Sequence, residues 1–192
     1  ITNARKLLIF YNELFSKIGD KFGYIRYANN IFSDNVVEIK SFEQEYGSPT
    51  RYDWGDGTLS TVKVRLMEQV HTRGRSETDM LPAIQKAAKE LGEETFEYPD
   101  YASSFYFVGD GGDTSGNADR IREFLKLSEA DRGFGKHMLS AIMLGDESQR
   151  RELADIFGDE HTTVAPDFET LIEQSMYKFD EDIEDYLKDK VI

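Results

Sequence analysis

The sequence predicts an α/β protein with a Rossmann-like three-layer α/β/α architecture, in which helices cover both faces of a mostly parallel central sheet. Two nearly pure apolar runs, at residues 104–108 and 138–144, each end abruptly at glycine and aspartate. Such runs are typical of parallel strands that are buried on both faces. Segments with helical spacing alternate with these runs along the chain, as crossover helices between parallel strands require.

The amino-terminal part is predicted to hold one helix and two strands. Apolar residues recur at helical spacing over residues 2–19, and Asn3 is a suitable N-cap. The pattern changes to strand-like alternation over residues 22–28 and again over 36–39. Residues 43–58 combine glycine and proline with acids and aromatics, and this composition predicts an exposed excursion.

The remaining elements follow at regular intervals. Two helices precede the first buried run, and later helices alternate with the second run and with a short strand. An acidic stretch at residues 180–185 keeps helical spacing of its apolar residues and is interpreted as a solvated helix face. The predicted helices are residues 59–70, 78–91, 118–127, 148–157 and 168–187, and the short strand is residues 162–164.

Size and charge limit the classes of protein that fit. The 192 residues are predicted to form one domain spanning residues 1–192. The 37 acidic residues exceed the 23 basic ones and give a net charge of −14, which disfavours nucleic acid and anionic membranes as partners. Zero cysteine excludes disulfides, zinc–thiolate sites and thiol nucleophiles. No membrane-spanning run or signal peptide is visible, and we expect a cytoplasmic protein.

Oxygen-bearing side chains occur where open parallel sheets bind ligands, at strand ends and at one helix start. Asp110 directly follows the first buried run, and Thr78 stands at a predicted helix start, next to Asp79. Carboxylate, hydroxyl and water oxygens suit Mg²⁺, which uses few protein carboxylates. Taken alone, Thr78 or Ser76 is more often an N-cap, and Asp110 before Gly111 is more often a turn residue. Their joint occurrence in this order favours a metal site.

These motifs and their order resemble a von Willebrand factor type A domain over nearly the whole chain. Ser76-Glu-Thr-Asp-Met80 and the apolar helix after it are similar to the family's Gly-Gly-Thr-Asp loop and helix. Phe105-Tyr-Phe-Val-Gly-Asp-Gly111 is similar to the family's apolar strand ending in Thr-Asp-Gly. Residues 137–146 resemble its late strand ending in Gly-Ile-Gly, and residues 164–172 resemble its closing segment.

The resemblance implies a metal-ion-dependent adhesion site. Thr78 would coordinate Mg²⁺, or Mn²⁺ or Ca²⁺ in its place, and Asp110 would support the cation through water. An aspartate or glutamate of a protein partner would complete the coordination shell. Intracellular bacterial members often work beside AAA+ ATPases, so the resemblance suggests such an ATPase as the partner. The residues around the binding position would be Ser76, Asp79, Gly111 and Asp113.

The chain departs from the family pattern in three places. The family's Asp-x-Ser-x-Ser motif precedes its first helix, so the first strand and this motif are expected to lie outside the given sequence. The family's Gly-Gly is Ser76-Glu77 here, and its threonine before the strand-end aspartate is Gly109. Asp113-Thr-Ser-Gly-Asn117 copies Asp-x-Ser-x-Ser superficially. It is interpreted as a loop and N-cap, the alternative being the first motif in a rearranged order.

The sequence leaves three functions open. The first is a non-catalytic module that docks a partner's carboxylate through the metal. The second is a metal-dependent hydrolase or phosphoesterase, in which Asp110, Asp113 and Asp146 at neighbouring strand ends form a two-metal cluster. The third is a metal-free scaffold of the same fold. The sequence shows no converging nucleophile–base–acid set and no nucleotide-binding glycine motif. We therefore expect that the chain is not an enzyme.

Overall fold

The computed structural model describes residues 3–22, 25–33, 35–51, 59–67, 78–100, 103–126 and 139–191. Within these ranges the protein is a mixed α/β structure, and none of their helices is long and apolar enough to cross a bilayer. The helices are α1 (Asn3–Phe22), α2 (Val62–Met67), α3 (Met80–Glu97), α4 (Ala118–Lys126), α5 (Glu147–Phe157) and α6 (Phe168–Val191). The strands are β1 (Asn29–Phe32), β2 (Val36–Lys40), β3 (Thr50–Arg51), β4 (Leu59–Ser60), β5 (Phe105–Gly109), β6 (Leu139–Leu144) and β7 (Thr162–Ala165).

The two buried runs form adjacent strands of a parallel sheet with the order β5-β6-β7. Phe105 lies opposite Leu139 at the start of the first pair, and Ala141 lies opposite Thr162 in the second. Helices α4 and α5 occur in the connections between these strands, since parallel neighbours need a crossover. The predicted parallel strands and the predicted short strand are confirmed.

Alternate residues of the parallel strands belong to two separate apolar clusters. Phe107 and Met143 pack with residues of α3, α4 and α5. Val108 and Ile142 pack instead with residues of α1 and α6. Because successive side chains of a strand point to opposite faces, the two clusters place helices against both faces of these three strands.

A second sheet is the antiparallel hairpin β1–β2, which packs on α2 through Ile39, Val62 and Leu66. It is not joined to the parallel sheet by strand pairing within the described ranges. The two-residue strands β3 and β4 pair with each other in a third, minimal sheet, with Thr50 opposite Ser60.

Two buried cations of the hairpin region bind backbone carbonyls. Lys40 Nζ donates to the carbonyl oxygens of Tyr27 at 2.7 Å and Ser41 at 2.9 Å. Arg65 is only 1% exposed, and its guanidinium donates to the carbonyl oxygens of Ile39 and Glu38. Desolvation lowers the pKa of Lys40 to about 8, because burial disfavours the charged ammonium.

The strand predicted at residues 22–28 was wrong. Helix α1 continues to Phe22, residues 25–28 are irregular, and the strand begins only at Asn29. Residues 23 and 24 lie outside the described ranges, and the described Tyr27 makes tertiary contacts instead of strand pairing. The ring of Tyr27 packs 5.4 Å from the ring of Phe15, and Lys40 Nζ lies 4.1 Å from the centroid of the Tyr27 ring.

Four predicted helices differ from the observed ones by three or more residues at an end. Helices α1 and α6 end at Phe22 and Val191 rather than at residues 19 and 187. Helix α3 begins at Met80 and extends to Glu97, rather than covering residues 78–91. Its polar last turns continue the helix, and Thr95 Oγ1 there donates to the Leu91 carbonyl at 2.8 Å. The helix predicted at residues 59–70 is shorter, since Leu59–Ser60 is strand and α2 covers Val62–Met67. Residues 68–70 lie outside the described ranges.

Candidate functional site

The loop after β5 and the segment before α3 are joined at the carboxyl edge of the parallel sheet. The Thr78 amide donates to Thr114 Oγ1 at 2.6 Å, and the Thr114 amide donates back to the Thr78 carbonyl at 3.0 Å. Thr78 is therefore fixed against the loop that begins at Asp110. This is the edge at which parallel α/β sheets bind ligands.

Asp113 holds this loop to two helix starts. Its carboxylate accepts hydrogen bonds from the amides of Met80 at 3.2 Å and Asn117 at 2.7 Å, and from Ser115 Oγ at 2.9 and 3.0 Å. Met80 is the first residue of α3, and Asn117 directly precedes α4. The first amides of a helix have no partner within the helix, so one carboxylate satisfies donors at both helix starts.

Asp79 is the N-cap of α3, a role that the sequence had suggested for Thr78 or Ser76. Its Oδ1 accepts the Leu81 amide at 3.2 Å and Asn117 Nδ2 at 3.1 Å. The Asp79 amide donates to the carbonyl of Ser33, which follows β1, at 2.9 Å. Asp79 thus connects α3 to the loop after β5 and to the end of β1. Ser76 itself lies outside the described ranges.

Asp110 has a different environment from the other two carboxylates. It is exposed, and its carboxylate makes no hydrogen bond or ion pair with any residue that the structure describes. A Cβ added at the neighbouring Gly111 would meet nothing within 4 Å, so the space beside Asp110 is open. The Gly112 amide donates to Glu152 Oε2 at 2.9 Å and fastens the same loop to α5. Asp110 is therefore a solvent-facing carboxylate on an anchored loop.

Asp146, at the end of β6, is used as a helix cap. It is the N-cap of α5 in a capping box, where it accepts the Ser148 amide at 2.9 Å and its own amide donates to Gln149 Oε1 at 3.3 Å. The bond from the Ser148 hydroxyl, together with the backbone amides, holds the pKa of Asp146 below its ordinary value. The anionic form is thus the form that the capping bonds favour.

The donor types at this edge suit a hard cation, although few of them are available. Thr78 offers a hydroxyl and Asp110 an uncommitted carboxylate, and Mg²⁺ retains several waters when it binds few protein ligands. The Asp79 and Asp113 carboxylates already accept hydrogen bonds from protein donors. Across the described ranges, no three histidine, aspartate or glutamate side chains are grouped so that they could hold a metal ion.

A second polar cluster, which the sequence did not reveal, lies at the amino end of β5. Tyr106 Oη donates to Asp182 Oδ2 of α6 at 2.6 Å, and the ring of Tyr11 lies 6.3 Å from the ring of Tyr106. Burial raises the pKa of Asp182 and of Tyr106, and it raises the pKa of Tyr11 to about 12. Within the acidic stretch 180–185, Asp182 is thus an exception to the predicted solvated face.

Comparison of this chain with family models, curated proteins and solved structures finds no match. The resemblance to the von Willebrand factor type A family stays a prediction from the sequence motifs.

Proposed function

We propose that this chain is a non-catalytic interaction module of the von Willebrand factor A type, with a Rossmann-like three-layer fold. It docks a carboxylate of a protein partner through Mg²⁺ at the carboxyl edge of the parallel sheet. One observation carries the proposal. The mutual hydrogen bonds of Thr78 and Thr114 fix the helix start against the loop after β5, while Asp110 of that loop remains exposed and uncommitted.

The surrounding bonds support this role because they order the loop without using Asp110. Asp113 and Asp79 bind the first amides of α3, and Glu152 binds the loop from α5. A pre-ordered loop lowers the entropic cost of binding a ligand. Thr78 and Asp110 are the residues that would hold the cation, with water filling the remaining positions.

Charge gives a reason for a metal in this role. The chain carries a net charge of −14 and would repel an acidic partner at long range. A bound divalent cation supplies the local positive charge that an aspartate or glutamate needs. The resemblance makes an AAA+ ATPase the first partner to test.

The two other functions draw less support from the structure. A two-metal hydrolase would need carboxylates of Asp110, Asp113 and Asp146 to converge, yet Asp113 and Asp146 use their oxygens as caps. A metal-free scaffold is consistent with the fold, but it assigns no ligand to the exposed carboxylate of Asp110.

Calorimetric titration of Mg²⁺ into the full chain tests the proposal. We expect saturable binding that Asp110→Ala weakens by at least about tenfold, which corresponds to roughly 1.4 kcal/mol. Asp155→Ala, which removes an equal charge from an exposed position on α5, serves as the matched control and should bind as the wild type does. No binding by the wild type, or equal binding by all three proteins, would contradict the docking site.

Enzyme assays separate the module from the hydrolase. We expect no hydrolysis of p-nitrophenyl phosphate in the presence of Mg²⁺ or Mn²⁺. If the wild type hydrolyses this substrate and Asp110→Ala abolishes the hydrolysis, the docking function is contradicted and the hydrolase is supported.

A further inference from the structure

Asp110 is followed directly by Gly111, and such a pair can react within its own backbone. The amide nitrogen that follows an aspartate can attack the carboxyl carbon of that aspartate, Cγ, and close a five-membered succinimide ring. Because the nucleophile and the carboxyl group belong to one chain, their effective concentration is high. An aspartate in a folded protein is protected from this reaction when other groups bind its carboxylate or the amide after it.

Both reacting groups of Asp110–Gly111 are free among the residues that the structure describes. Asp110 is exposed, and its carboxylate makes no hydrogen bond or ion pair with a described residue. The Gly111 amide donates to no described acceptor either. A Cβ added at Gly111 would meet nothing within 4 Å, so space remains for the rotation that brings the nitrogen to Cγ. Glycine also permits this rotation because it has no Cβ of its own.

Asp113, further along the same loop, is held against the reaction at both groups. Its carboxylate accepts hydrogen bonds from the amides of Met80 at 3.2 Å and Asn117 at 2.7 Å. The amide after it, that of Thr114, donates to the Thr78 carbonyl at 3.0 Å. Ring closure would break these bonds. The fold therefore opposes the reaction at Asp113 and leaves it open at Asp110.

Asp146, at the end of β6, is held through its carboxylate. As the N-cap of α5 it accepts hydrogen bonds from the Ser148 amide at 2.9 Å and from the Ser148 hydroxyl. Turning this carboxyl group towards the nitrogen of Glu147 would cost the capping bonds. Asp146 is thus an exposed aspartate with a committed carboxylate, which makes it a reference for Asp110.

We propose that Asp110–Gly111 is a modification site, at which the chain isomerises spontaneously from aspartate to isoaspartate. In the first step the Gly111 nitrogen bonds to Cγ of Asp110, and the amide hydrogen leaves with the carboxyl hydroxyl group as water. In the second step water adds to the backbone carbonyl carbon of Asp110 and breaks the bond of that carbon to the Gly111 nitrogen. The water lost in the first step is regained in the second, so the product is an isomer and no other reactant is consumed.

The isomer alters the loop in two ways. Its main chain runs through Cβ and Cγ, which makes the connection from β5 to Gly112 one atom longer, and the Gly112 amide is fastened to Glu152. Its free carboxylate is attached directly to Cα and occupies a different position. Loss of a Mg²⁺ ligand by this change rests on the proposed function. The isomerisation itself requires no metal, so either proposal can fail alone.

Peptide mapping of the full chain, incubated for several weeks in metal-free buffer at neutral pH, tests the site. Trypsin cleaves after Lys89 and Arg120 and releases one peptide that contains Asp110. The other Asp-Gly pair of the chain, residues 56–57, lies outside the described ranges and falls in a different peptide. Because the isomers have equal mass, synthetic peptides with aspartate or isoaspartate at position 110 identify them by chromatographic retention.

Two variants connect the reaction to the structure. Gly111→Ala restricts the backbone, and its added Cβ has space, so this variant should fold as the wild type does. We expect it to slow isomerisation at position 110 at least about fivefold. Glu147→Gly is the matched control, since it places an Asp-Gly pair at the capped Asp146. We expect isomerisation at Asp146 of this variant to be at least about fivefold slower than at Asp110 of the same molecule.

Three outcomes would overturn the proposal. The first is no isoaspartate at position 110 of the folded chain after the free synthetic peptide, incubated in parallel, has accumulated it. The second is an equal rate at Asp110 and at Asp146 of Glu147→Gly, which would show that the dipeptide and not the fold determines the rate. The third is an unchanged rate in Gly111→Ala. Isoaspartate that forms at position 110, and forms more slowly in Gly111→Ala and at the capped Asp146, supports the modification site.

Discussion

The two ends of β5 use aspartate in opposite ways. At the carboxyl end, Asp113 lies in a polar loop where backbone amides and a hydroxyl converge on its carboxylate. At the amino end, Asp182 is partly buried and accepts a hydrogen bond from the hydroxyl of Tyr106, and burial raises the pKa of the carboxyl group. Backbone amides at a helix start stabilise an anion, whereas burial beside aromatic rings favours the neutral acid.

The comparison shows that hydrogen bonding determines the role of the Asp113 carboxylate, whereas burial determines the role of the Asp182 carboxyl group. Asp113 positions the loop that presents Asp110, so it affects the candidate site through structure. Asp182 holds the long helix α6 to β5, so it affects packing on the opposite end of the sheet. Substitutions at the two ends should therefore differ in size and in pH dependence.

Asp113→Ala should have the largest effect on stability. It leaves the amides of Met80 and Asn117 without their acceptor and frees the loop from both helix starts. We expect a loss of about 2–3 kcal/mol in the free energy of unfolding, the upper range for a lost helix cap with further bonds. Urea denaturation at pH 7 measures it. A loss below about 0.5 kcal/mol, as at an ordinary surface site, would contradict the central role of Asp113.

At the amino end, Tyr106→Phe should cost more than Tyr11→Phe. Removing the Tyr106 hydroxyl removes its hydrogen bond to the partly buried carboxyl group of Asp182. We expect a loss of about 1–2 kcal/mol in the free energy of unfolding. The Tyr11 hydroxyl is buried and has no hydrogen-bond partner of good geometry among the described residues, so its removal should be neutral or slightly stabilising. Thermal unfolding of the two variants under identical conditions makes the comparison. An equal loss in both would show that the two hydroxyls are bonded alike.

Asp182 should give the protein a pH dependence that Asp182→Asn removes. The pKa of this carboxyl is raised in the folded state, so the folded protein binds more protons than the unfolded chain between the unfolded and the folded pKa. The contribution of Asp182 to stability is therefore fully present below the unfolded value, about 3.9, and is lost as the pH rises through the folded value. The difference in stability between wild type and Asp182→Asn, followed by urea denaturation from pH 3 to pH 8, should fall with pH. A flat difference would contradict the raised pKa.

The sequence predicted the parallel strands and the polar carboxyl edge for a common physical reason. A strand buried on both faces must be apolar throughout, so β5 and β6 stand out against their surroundings, and the polar residues that follow them are visible by contrast. The region around Tyr27 could not be predicted in this way, because the half-buried Tyr27 contacts Phe15 of α1 and Lys40 rather than a paired strand. Periodicity alone does not distinguish the two cases.

The polar cluster at the amino end escaped prediction because its members belong to patterns with another meaning. Tyr106 is part of an apolar strand, and only its hydroxyl is polar. Asp182 is one of several acids on α6, and nothing in the stretch distinguishes it from its exposed neighbour Asp180. The bond between them joins residues 76 positions apart, so only the folded chain shows it.

Asp110→Ala should have the smallest effect on stability and thereby sharpens the contrast with Asp113→Ala in the same loop. Asp110 is exposed and has no bonding partner among the described residues, so we expect a change within about 0.5 kcal/mol in urea denaturation. Removing one negative charge from a chain with a net charge of −14 can even stabilise it slightly by lowering self-repulsion. If Mg²⁺ binds at this edge, the wild type should gain stability as Mg²⁺ is added, and Asp110→Ala should gain less. A loss as large as that of Asp113→Ala would show that Asp110 is part of the structural network and is not held available for a ligand.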